Sequence, residues 1–161
     1  MKAQDPYYKL RPILPTPADE ICSCKDEPPL VLRSVLSSNP IGCARCNLEM
    51  PPERLELSRE LAEGAAYWQM FFDCFYNLWL DSGEYEEWAK TELSRPDSPV
   101  NQRGLALCRE LNMVRRSYYL WFQEVGDEAF EPASTCPVCG QPLTEAEGRH
   151  VCERCAIMMF N

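Results

Sequence analysis

From Glu53 to about Leu80, apolar residues return every third or fourth position: Leu57, Leu61, Ala65, Trp68, Phe72, Phe75 and Trp79. A second row, Tyr67, Phe71, Cys74 and Leu78, runs beside it. These steps match the turn of an α-helix, and two adjacent rows predict a helix buried on more than one side. "DSG" at Asp81–Gly83 interrupts the pattern, and "EYEEWAKTEL" resumes it over a shorter stretch. In "SRPDSPV", Ser98 offers an N-cap and Pro99 a first helical position. Leu107, Leu111, Val114, Tyr118, Trp121 and Val125 then repeat at steps of four and three, and Gly126 supplies a stop. That predicts a last helix over 99–125, packed antiparallel against the first.

Outside the helical region the pattern changes. Residues 1–20 carry Pro6, Pro12, Pro15 and Pro17 and predict an extended arm. "LVLRSVL" between two cysteine pairs is short and β-branched, as strands are. The expected organisation is an arm (1–20), an amino-terminal zinc module (21–52), a helical hairpin core (53–128) and a carboxy-terminal zinc ribbon (129–161). The fold class expected is mainly α with small β: a central antiparallel helix pair flanked by two zinc-bound β modules.

The cysteines supply the candidate chemistry. The chain has 10, and eight fall in close pairs: Cys22/Cys24, Cys43/Cys46, Cys136/Cys139 and Cys152/Cys155. No run reaches the roughly 18 apolar residues of a membrane span. The opening "MKAQDPYYKLRP" lacks the apolar stretch of a secretion signal, so the cytoplasm is the expected location. In a reducing compartment, paired cysteines point to metal rather than disulfides.

Two-residue spacing lets one tight turn aim two sulfurs at one tetrahedral ion. Cys136, Cys139, Cys152 and Cys155 therefore predict a zinc ribbon closed by four thiolates. Cys22, Cys24, Cys43 and Cys46 predict a second zinc site, because residues two apart on a strand share a side. Two structural Zn2+ ions follow. Cys74 and Cys108, inside the helical patterns, are expected to be buried and inert. His150, two residues before Cys152, is expected on the hairpin surface.

Signals for catalysis are missing from the pattern. A zinc deaminase needs a ligand-x-Glu motif before Pro-Cys-x-x-Cys, whereas here the proline follows Cys136. No phosphate-binding glycine loop is present, and with His150 the sole histidine, few nucleophile–base pairs can be written. A non-enzymatic protein is expected.

Charge then bears on partners. The formal net charge is -9, and residues 53–95 hold ten acids against four bases. Such a protein repels phosphate backbones unless a basic patch compensates. "DSGEYEEW" sets Asp81, Glu84, Glu86 and Glu87 around Tyr85 and Trp88, which suits a contact with a basic protein. The expected function is a zinc-stabilised protein-binding module that neutralises a basic partner, a toxin or enzyme domain, as an inhibitor or immunity protein. The alternative is nucleic-acid binding through the ribbons and, among the arginines of the last helical stretch (Arg103, Arg109, Arg115 and Arg116), the face that Arg109 and Arg116 share, seven residues apart.

The segments "ERLELSRELAEGAAYW", "NQRGLALCRELN", "RRSYYLWF" and "CPVCG…CERC" together resemble a group of bacterial zinc-ribbon proteins of uncharacterised function, to which nucleic-acid binding has been ascribed without proof. The resemblance spans about residues 40–161, and its specific part is the cysteine spacing. It implies a zinc-stapled helical protein and assigns no binding residues. In size and acidity the chain also resembles immunity proteins, as a class.

Overall fold

Helix α1 begins at Arg59, not at Glu53, and the backbone shows why. Pro52–Arg54 forms a 3-10 turn, and Glu56 sits in the left-handed region at φ 53°, which no continuing helix tolerates. The chain turns helical at the first good cap: Ser58 accepts from the Leu61 backbone N–H at 3.2 Å. The computed structural model describes residues 5–126 and 128–161. In it α1 covers Arg59–Asp81, α2 covers Glu86–Ser94 and α3 covers Pro99–Val114. Ser98 caps α3 and Pro99 opens it, as the sequence predicts.

Helix α3 stops eleven residues before the expected Val125. Asn112 ends it: its amide donates to the carbonyls of Cys108 and Ser117 and accepts from the Ser117 N–H. One side chain thus closes the last helical turn and holds the start of a strand. The chain continues as β3, Ser117–Leu120, the middle of a six-stranded mixed sheet. The other strands are β1 (Leu30–Leu32), β2 (Ile41–Cys43), β4 (Thr144–Ala146), β5 (Arg149–Cys152) and β6 (Ile157–Met159), in the order β2-β1-β3-β6-β5-β4.

This corrects the expected fold class. The protein is not a helix pair with two separate β modules, because both cysteine modules belong to one sheet. β3 joins them by pairing parallel to β1 on one side and to β6 on the other. "SYYLW" misleads because Tyr118 and Trp121 satisfy a helical step, while aromatic residues in a buried run also favour a strand. Val114 and Val125, which the helical reading needs inside, are both exposed.

The sheet's two faces differ. Leu30, Leu32, Tyr119, Ile157 and Met159 join Leu61, Trp68, Phe72, Leu107 and Leu111 in the main core. Gly104 allows the closest approach there, since a Cβ on it would lie 2.7 Å from Tyr119 and 2.8 Å from Trp68. The opposite face buries Val31, Ala44, Tyr118, Val151 and Met158. Arginines lie over that face: the Arg33 guanidinium crosses Gly42, and Arg116 sits 4.9 Å from the Tyr118 ring centre.

The arm at 1–20 is not loose where it is described. Leu10 is fully buried, and the Tyr7 hydroxyl exchanges hydrogen bonds with the backbone of Leu57.

Candidate metal centres

The eight paired cysteines converge as two groups of four, Cys22/Cys24/Cys43/Cys46 and Cys136/Cys139/Cys152/Cys155. Within each group all sulfurs lie within 4.8 Å of one another. Cys139 Sγ and Cys152 Sγ are 3.6 Å apart. That is close to the edge of about 3.8 Å for a tetrahedron with metal–sulfur bonds of about 2.3 Å. It is far from the roughly 2.05 Å of a disulfide, and all ten cysteines are free thiols. The donor set fits a tetrahedral ion: four soft, ionisable ligands, two buried and two half-buried in each group. Four sulfurs complete such a sphere without a place for water, so each group could hold a metal ion of the structural kind.

Three of the four cysteine pairs share one local build. In each Cys-x-x-Cys the residue after the second cysteine is left-handed: Asn47 at φ 59°, Gly140 at φ 70° and Ala156 at φ 54°. The Asn47 and Gly140 N–H groups donate to the carbonyls of Cys43 and Cys136, at 2.9 Å each. The Cys46 N–H points at Cys43 Sγ, 3.5 Å away. Tight turns of this kind give sulfur its charge-stabilising amides. At the carboxy-terminal site, the Gln141 backbone amide draws the Cys139 thiol down to about 7, whereas burial holds Cys136 above the ordinary thiol range.

The pair Cys22–Cys24 is built differently. Pairing beside residue 49 holds Cys22, whose N–H donates to the Glu49 carbonyl at 2.8 Å. Arg54 then fastens the rest, giving hydrogen bonds to the carbonyls of Cys22 (3.1 Å), Cys24 (2.6 Å) and Asp26 (3.1 Å). Its guanidinium also lies 3.9 Å from Cys22 Sγ, beside the charge that a thiolate carries. The sequence gives no sign of this role, because Arg54 lies 30 residues from the motif it braces.

The remaining candidates are placed as follows. Cys108 is buried and its thiol is pushed up to about 12 by burial, in keeping with an inert thiol. Cys74 is exposed, against expectation, because α1 is open to solvent on that side. His150 stands on β5, half-buried, with Nδ1 3.2 Å from the Ala133 carbonyl oxygen, outside both groups. Asp81, Glu84, Tyr85, Glu86, Glu87 and Trp88 gather at the corner between α1 and α2. Tyr85 and Trp88 are each 51% exposed, and Trp88 stacks on Phe75 at 5.6 Å. Glu86 has a local task as well, accepting from the Gly83 N–H at 3.0 Å.

Three of the four arginines of the last helical stretch are engaged with other residues. Arg115 is largely buried and donates to the Arg54 carbonyl, Arg116 pairs with Glu153, and Arg103 lies over the Phe71 ring. Among the described residues no helix is long and apolar enough to cross a membrane. The chain matches no family model, no curated protein and no solved structure.

Proposed function

We propose that this is a non-enzymatic module, held together by two structural zinc ions, that binds and neutralises a basic partner protein. Cys22, Cys24, Cys43 and Cys46 hold one ion, and Cys136, Cys139, Cys152 and Cys155 the other. The observation that carries the binding role is a set of exposed apolar side chains along α1 and α2. Tyr67, Met70, Leu80, Tyr85 and Trp88 all reach solvent within the most acidic part of the chain. Exposed aromatics in one region are anchors for a partner, and the surrounding acids favour a basic one. The zinc ions supply folding energy, since closed tetrathiolate sites have no position for a substrate.

Capture from host extract by the tagged, zinc-loaded protein tests this reading. A stoichiometric basic protein is expected, and Tyr85→Ala with Trp88→Ala should reduce its capture. Glu86→Lys with Glu87→Lys should slow association. The reading is overturned if the protein retains RNA or DNA instead, if that retention falls steeply with salt, and if the charge reversals strengthen it.

A further inference from the structure

A groove of ≈ 790 Å³ runs beside α1, between the helix and the loop that joins β1 to β2. Ser34, Leu36 and Ser37 line it from the loop, and Gln69, Met70, Asp73, Tyr76 and Leu80 from the helix. Leu36, Met70 and Leu80 on its walls are exposed, whereas its polar residues are incompletely matched. Gln69 is only 6% exposed, and its amide nitrogen donates to the carbonyls of Val35 and Ser37. Its Oε1, buried, has no hydrogen-bond partner. Asp73 is half-buried one turn further along α1, with one carboxylate oxygen accepting from Ser34 Oγ at 2.7 Å. No lysine, arginine or histidine among the described residues forms an ion pair with it.

A carboxylate removed from water is normally matched by a cation. Burial here raises the Asp73 carboxyl above its usual range, opposed by the Ser34 hydrogen bond. A cation on Asp73 would reverse that tendency. The one base lining the groove, Lys9, is engaged by another lining residue and not by Asp73: it hydrogen-bonds the Tyr67 hydroxyl and lies over that ring, 3.8 Å from its centre.

We infer that the groove is an anchor site for one arginine or lysine side chain of an extended partner segment, with Asp73 as its carboxylate and apolar neighbours of that side chain resting on Leu36, Met70 and Leu80. Charge complementarity selects this occupant: a net charge of -9 repels acidic segments, and Asp73, the one carboxylate lining the groove, has no ion-pair partner among the described residues. Arginine suits the place better than lysine, since its planar fork can satisfy two acceptors while its stem lies on apolar walls. The inference rests on the protein-binding reading only for who supplies the side chain.

Titration of the 15N-labelled, zinc-loaded protein with acetyl-Leu-Arg-Leu-amide tests it, against a twin carrying neutral citrulline for arginine. Backbone signals of residues 34–38 and 69–77 should shift. Affinity should fall about ten-fold for the citrulline twin, and by a similar factor for Asp73→Asn. The twin needs no mutant protein, so the test survives if Asp73→Asn fails to fold. Equal binding of the two peptides overturns the inference, as do shifts confined to residues 84–88, or no binding up to about 10 mM. Failure of the partner capture leaves this titration unaffected, so the two readings fail separately.

Discussion

The two candidate metal centres each gather four cysteine sulfurs and do so by different routes. At the carboxy-terminal centre, both pairs are Cys-x-x-Cys turns, one within a loop closed by Cys136 N–H to Gln141 O at 2.8 Å, the other turning β5 into β6. The geometry is local and the sequence spacing nearly dictates it. At the amino-terminal centre only Cys43/Cys46 is such a turn. Cys22 and Cys24 are brought to it by residue 49 and held by Arg54, across 27 and 30 or more residues of chain. A motif of standard spacing carries its own support, and one of unusual spacing borrows support from the fold.

The largest expected effect separates the centres by what depends on them. Cys43 is fully buried at the end of β2, within the same core as α1 and α3. Cys43→Ser removes one of four ligands from a site whose whole metal affinity is on the order of 10 kcal/mol, and should give little soluble protein. Cys139 is half-buried at the far flank of the sheet. Cys139→Ser should remain folded with one zinc per chain, because β6 still pairs with β3. Metal analysis beside far-UV circular dichroism reads both. Equal loss of structure in the two variants would show that β3 couples the centres completely.

A smaller effect tests the borrowed support. Arg54→Met leaves three carbonyl oxygens without their donor, and the cost should be about 2–3 kcal/mol, with zinc lost first from the amino-terminal centre. Arg45 is the control, an arginine of the same centre that pairs with exposed or distant carboxylates and not with the backbone of the cysteine segment. It pairs with Glu147 at 3.2 Å and with Asp26 at 3.7 Å, with its side chain 45% exposed. Solvent screening limits such a pair, so Arg45→Met should cost less than about 1 kcal/mol. Denaturant midpoints and zinc release to a chromogenic chelator report the difference. Similar values for both would mean that Arg54 is one more surface contact.

What was legible follows the same division between local and borrowed. The eight cysteines that gather in two groups could be named from spacing, and α2 and the Ser98–Pro99 start of α3 from caps and periodicity. The end of α3 could not. It depends on Asn112 reaching Ser117, and on β1 and β6 lying ready to receive Tyr118 and Tyr119. The Asn112–Ser117 contact is local, but the strand pairings join residues about 40 to 90 positions apart, and no window along the chain contains them. The one-sheet architecture was lost with that strand, because β3 is the sole link between the two cysteine modules in the sheet order. Arg45 and Glu147 show how far the sheet then closes. They flank opposite edges, which in a flat six-stranded sheet stand about 24 Å apart, yet they form an ion pair. Curling of this kind is what buries Ala44 with Val151 and Met158 on the second face.

The smallest effect compares the turns themselves. Three of them demand a left-handed residue, and the chain answers with Asn47, Gly140 and Ala156. Alanine is the poorest of these, since its Cβ crowds the carbonyl there at a cost of roughly 1–2 kcal/mol. Its methyl is also buried in the core, and removing it forfeits about 0.8 kcal/mol of apolar burial. The backbone term is the largest single one, but the methyl and the roughly 0.4–1 kcal/mol of unfolded-chain flexibility that glycine adds together nearly match it, so Ala156→Gly should change stability by less than about 1 kcal/mol. Asparagine tolerates the left-handed region, and Asn47 also accepts a hydrogen bond from Arg33 at 2.8 Å. Asn47→Gly should therefore be neutral or slightly destabilising. Opposite signs in thermal melts of the two zinc-loaded variants would show that turn strain is unevenly placed, and lies at the centre whose geometry is otherwise most local. A loss of stability in Ala156→Gly would show that the buried methyl and the added flexibility of glycine outweigh the strain.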